Sequence, residues 1–228
     1  MENVQMGRRI EITVAAVGVI LTAIALIFGD NIYLQISGHS IAQDFHSQTI
    51  PLNVIQNLAS RNLLTTTSGA VIWQSKELIL EYSGEGAIYQ STESAPTDFV
   101  FFSSVMWDSP DTEFTACGFF FRSNNQNSNY ASLLRRNGNA LLWRMVPTGV
   151  ERWLASEFIQ GINKANNGTN KLILIVQGNR FVFLVNDTVV YYGTDNVYAT
   201  GYVGIMTGAG PNGANTCTFR DSWLWVIK

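Results

Sequence analysis

Between Lys171 and Tyr192 the chain reads KLILIVQGNRFVFLVNDTVVYY. Leu172, Leu174 and Val176 alternate with Ile173 and Ile175, and Gly178-Asn179 interrupts the run. Phe181 to Val185 resumes it, Asn186-Asp187 breaks it again, and Val189 to Tyr192 closes it. β-Branched and aromatic residues fit a pleated surface, and Gly-Asn and Asn-Asp supply the positive φ of tight hairpin turns. This pattern predicts a three-stranded meander. A meander cannot bury both of its faces alone, so the rest of the chain must supply a second sheet.

The flanking sequence has the same character. Short strands are predicted at Val71 to Trp73, Glu77 to Tyr82, Ala87 to Gln90, Phe99 to Trp107 and Phe114 to Arg122. Tyr130 to Arg136 and Ala140 to Val146 flank Asn137-Gly138, a two-residue hairpin signal. Glu151 to Phe158, Tyr202 to Thr207 and Cys217 to Ile227 complete the set. Pro96, Pro110, Pro147 and Pro211 fall between these runs, as strands require. The stretch to about Ser68, with Pro51 in it, is weakly patterned, and no helix is predicted there. The expectation is one all-β domain over residues 42–228, with roughly a dozen strands and no internal repeat.

A different pattern precedes it. Ile12 to Phe28 is seventeen residues without a charge, a helix of roughly 25 Å, at the short end of a membrane span. Arg8 and Arg9 come before it, Asp30 follows, and the next positive residue is Arg61. The positive-inside rule then puts residues 1–29 down as a cytoplasmic N-terminus and transmembrane helix in contact with lipid. Residues 30–41 become a connector, and 42–228 an extracytoplasmic domain at the cell membrane. Two other readings stay open. Ala23-Ile24-Ala25 resembles a signal-peptide cleavage site, and Glu11 before an apolar helix suits a filament core.

Composition narrows the function classes. Charged residues make up 14% of the 228 and aromatics 12%, which excludes a disordered chain. A net charge of -3 offers no footprint for nucleic acid. The two cysteines are one hundred positions apart, so no CxxC metal or redox motif exists. His39 and His46 precede the domain core and are read as solvated.

The succession of DFVFFSSVMW, CGFFFRSNNQNSNYASLLRR, the Asn-Gly hairpin, NKLILIVQGNRFVFLVNDTVV, GYVGIMTG and TFRDSWLWV resembles the concanavalin A-like, laminin-G-like jelly rolls. The resemblance covers roughly residues 42–228. It implies a sandwich of two curved antiparallel sheets, with first and last strands adjacent and ligands, often sugars, on the concave face or its rim. Some relatives hydrolyse glycosides with an E-x-D-x-x-E strand. This chain lacks that arrangement, and Glu151 and Glu157 are about 20 Å apart along a strand, too far for a carboxylate pair. A non-enzymatic binding module is therefore expected, its partner a cell-surface glycan or a protein. A structural subunit of a filament, homo-oligomer or membrane complex is the alternative, and a glycoside hydrolase is disfavoured.

The candidate ligand-binding residues are Arg122, Asn129, Tyr130, Arg144 and Trp153. Planar aromatics stack on sugar rings, and Arg and Asn bond hydroxyls. Arg122 and Arg144 are expected on one outward face of adjacent strands. No cofactor is required, although Asp108 and Asp111 in the acidic loop WDSPDTEF could offer oxygens to calcium, against the plainer reading of a solvated turn. Cys117 and Cys217 both start apolar strands in a domain placed outside the cytoplasm. The last strand of such sandwiches returns beside early ones, so a disulfide between them is expected.

Overall fold

The computed structural model describes residues 49–83, 86–109, 114–124, 128–209 and 213–228. The apolar run 12–28, the connector, both histidines and Asp111 lie outside them. Among the described residues, no helix is long and apolar enough to cross a membrane.

One helix, α1 (Thr49–Ser60), precedes the strands β1 (Gly69–Ser83), β2 (Gly86–Ser91), β3 (Phe99–Asp108), β4 (Ala116–Ser123), β5 (Asn129–Arg135) and β6 (Asn139–Val146). β7 (Gly149–Phe158), β8 (Thr169–Gln177), β9 (Arg180–Val185), β10 (Thr188–Thr194), β11 (Tyr202–Ala209) and β12 (Ala214–Ile227) follow. They form two six-stranded sheets, β1-β12-β3-β8-β9-β10 and β2-β11-β4-β5-β6-β7, with antiparallel pairing throughout. First and last strands are neighbours, as the resemblance implied. The predicted meander is β8-β9-β10. Its second turn has both Asn186 and Asp187 at positive φ, while in its first only Gly178 is. The Asn137-Gly138 hairpin also forms, but as a turn closed by Gly138 N–H to Arg135 O, with Gly138 alone at positive φ.

Alternation decides the core. Phe99, Phe101, Val105 and Trp107 of β3 face Phe119 and Phe121 of β4 between the sheets, with Leu172, Leu174, Phe181 and Phe183. Phe101 and Phe119 stack with centroids 4.4 Å apart. The Cys117–Cys217 disulfide crosses this core from β4 to β12, its Cα atoms 5.8 Å apart and both residues fully buried.

The opposite faces of β3, β8 and β9 carry Val100, Phe102, Ile173, Ile175, Val182 and Leu184, joined by Trp223 and Trp225. Helix α1 covers them with Ile55 and Leu58. This helix is not among the elements the sequence predicts, because the stretch that holds it is weakly patterned. Pro51 sits in the first turn, where its missing N–H costs nothing. The helix ends in a Schellman motif. Asn62 takes φ 57°, Leu63 N–H bonds Leu58 O at 3.0 Å, and Asn62 N–H bonds Ala59 O at 2.9 Å. Leu58 and Leu63, bracketing that motif, pack in the same cluster.

Candidate functional site

Three of the five expected ligand residues meet inside one end of the sandwich. Tyr130 is fully buried and donates its hydroxyl to Asp195, the residue that follows β10. Arg144 donates to both oxygens of the same carboxylate, at 3.1 and 2.8 Å. Val197 N–H adds a bond of 3.1 Å, and exposed Arg152 stands 3.8 Å away. Burial pushes the Asp195 carboxyl up, but the bonds from Tyr130, Val197 and Arg144 outweigh it and hold it below its ordinary value. Burial and the bond to Asp195 push the Tyr130 phenol up to about 12.

Arg122 is a second internal clamp. It donates to Tyr198 O at 2.9 Å and to Gly178 O, and its guanidinium lies 4.9 Å from the centre of the Phe181 ring. Burial lowers its pKa, with partial compensation from the neighbouring acidic groups. Together Arg122 and Tyr130 pin the 195–201 loop across the end of the sheets, since Tyr198 N–H also bonds the Tyr130 hydroxyl at 3.2 Å.

The expectation that Arg122 and Arg144 share an outward face is therefore corrected. Arg144 pairs with Tyr130 across β5 and β6 and shares its inward direction. Arg122 falls where β4 slips register against β11, at φ 51°. That bulge turns inward a residue that simple alternation would point outward.

Trp153 goes the other way. β7 slips by one residue against β6, so that Leu154 and Ala155 both pack on the core. The slip delivers Trp153 to the outer face of the second sheet, directly opposite Trp143. The rings meet edge to face at 4.9 Å, with Trp153 52% exposed. Asn129 lies on the same face by alternation, diagonal to Trp143. Its Oδ1 and the Trp143 Nε1 are buried without a hydrogen-bond partner. The candidate site thus keeps Trp153 and Asn129 from the expected set and adds Trp143, which was not in it.

This face has a second aromatic pair that the sequence did not signal. Tyr89 of β2 is 46% exposed and meets Phe120 of β4 edge to face at 5.5 Å. The two strands are not neighbours, because β11 lies between them. Gly204 of β11 allows the approach, since a Cβ there would come within 2.6 Å of the Phe120 ring. Between the pairs the floor is Ala131, Leu133, Leu141 and Met206. By alternation, no Asp or Glu falls on this face among the described side chains; Arg135 lies on it beside Phe114, and the Lys164 ammonium stands 5.0 Å from the ring of Phe158 at one end.

Asp108 is exposed at the end of β3, and its expected calcium partner Asp111 lies outside the described residues. Among those residues no group of three His, Cys, Asp or Glu side chains could hold a metal.

No protein-family model and no curated protein matches the chain. Among solved structures it is similar to the carbohydrate binding module CBM66 from Bacillus subtilis. Identity is 14% and the TM-score 0.54, over 68% of this chain and 94% of that one. It is also similar to a Bacillus subtilis protein of unknown function with a galectin-like fold, at 10% identity and a TM-score of 0.49, over 70% of this chain and 98% of that one. A Bacteroides ovatus GH16 protein matches at 10% identity and a TM-score of 0.47, over 68% of this chain and 84% of that one. At these identities the likeness is one of fold, and the fold is a concanavalin A-like jelly-roll sandwich.

Proposed function

We propose that the chain is a non-enzymatic carbohydrate-binding module that takes a glycan on the outer face of the second sheet. The observation that carries this is Trp153, an exposed indole held upright by Trp143 on a face without carboxylates among its described side chains. An aromatic ring offers a flat apolar surface to the C–H face of a sugar. The likeness in fold to a carbohydrate binding module supports the same reading. Hydrolysis needs a carboxylate pair, which this face does not present among its described side chains. We further propose that residues 12–28 anchor the module in the cell membrane with its N-terminus in the cytoplasm, as the uncharged run behind Arg8 and Arg9 supports.

A glycan array probed with the full chain tests the binding. A neutral glycan is expected to bind saturably, and Trp153→Ala to lose most of that binding without loss of fold. Membrane fractionation with an alkaline wash tests the anchor: the chain should stay with the membranes, and a mature N-terminus near Leu26 would contradict it.

A further inference from the structure

We infer that the ligand is an uncharged glycan chain bound along its length, lying across the strands from Trp153 to Tyr89. This rests on the glycan-binding reading and specifies it. The two exposed rings stand on β7 and β2, the two edge strands of the same sheet. Each is held edge to face by a less exposed ring, Trp143 for one and Phe120 for the other. Five strand steps separate β2 from β7, about 24 Å at the usual strand spacing and less across a curved sheet. One sugar cannot touch both rings.

The register joins the two ends. Ser91, Gly204, Phe120, Ala131, Trp143 and Trp153 lie opposite one another in a single row across the six strands. The parallel row Tyr89, Met206, Gly118, Leu133, Leu141 and Ser156 runs beside it. Neither row holds a charged residue. Glycine and alanine at 204, 118 and 131 keep the middle of the path low between the aromatic ends. A carboxylated or sulfated glycan finds no cation in these rows, whereas an uncharged chain loses no ionic hydration on entering them.

Calorimetric titration of the full chain with gluco-, manno-, xylo- and fructo-oligosaccharides of two to eight units tests the inference. Affinity in the recognised series should climb with length until the chain reaches both rings, then level off. Tyr89→Ala and Trp153→Ala should each weaken the longest ligand about tenfold or more, and each should abolish the gain with length. Thermal melts of both variants should match the parent, since both rings are exposed. Length-independent affinity, with Tyr89→Ala silent, would overturn the extended mode while leaving a glycan site at Trp153. A preference for uronate or sulfated chains would overturn the neutral class. Binding of a long-chain fatty acid but of none of these sugars would overturn both this inference and the glycan reading.

Discussion

Asp195 is the residue on which one end of the sandwich depends. Its carboxylate is buried, and Arg144, Tyr130 and Val197 N–H satisfy it from three sides. Removing one partner of such a buried pair strands the other charge. Arg144→Ala should therefore cost about 3–5 kcal/mol in urea unfolding. Arg152→Ala, an exposed residue 3.8 Å from the same carboxylate, should change stability by less than about 1 kcal/mol. Tyr130 adds a pH signature. Its folded pKa of about 12 lies above the ordinary 10.0, so its contribution is complete below pH 10 and fades as pH rises through 12. Over that window it should account for a fall of at most about 1.4 kcal/mol per pH unit. Tyr130→Phe should lack this part of the alkaline decline when unfolding is measured at stepped pH. None of this was legible in the sequence, where Tyr130 and Arg144 look like binding residues and Asp195 looks like a loop acid. Sequence distance hides the meeting: Asp195 lies 65 and 51 positions from its two partners.

At the scale of elements, the strands were legible and their irregularities were not. The run from Lys171 to Tyr192 reads correctly because its β-branched and aromatic stretches and its Gly-Asn and Asn-Asp breaks agree with each other. The register slip at Leu154 and Ala155 has no signature in GVERWLASEF, yet it decides that Trp153 faces outward. The slip at Arg122 decides that a cation turns inward. A period-two reading carries its phase through such points and assigns the wrong face beyond them. Helix α1 could have been found from Val54, Ile55 and Leu58 at helical spacing with Asn62 as the stop, had Pro51 been placed in the first turn. Its Ile55 is fully buried against the outer face of the first sheet. Ile55→Ala should destabilise by about 2–5 kcal/mol in a chemical denaturation series. The exposed Leu52 on the same helix, 40% accessible, should tolerate alanine within about 0.5 kcal/mol.

For the molecule as a whole, the two sheets divide the labour. The first is closed on its outer side by α1, and its inner side makes the core. The second carries two edge-to-face aromatic pairs on its outer side. Cys117 and Cys217 tie the sheets together across one hundred residues of chain. Replacing both by Ser should cost about 2–5 kcal/mol in reversible unfolding, while binding at the outer face stays intact below the lowered melting point. On the proposed reading, ligand recognition rests chiefly on the exposed rings of Trp153 and Tyr89, whereas Arg122, Arg144 and the disulfide serve stability from inside the sandwich. The most direct measurement is glycan binding by the full chain and by Trp153→Ala and Arg144→Ala side by side, each with its melting temperature. The expected result is binding by the parent, a loss of about tenfold or more in Trp153→Ala with unchanged melting, and retained binding in Arg144→Ala with a lowered melting temperature. Undiminished binding in Trp153→Ala, or loss of binding in well-folded Arg144→Ala, would contradict the account.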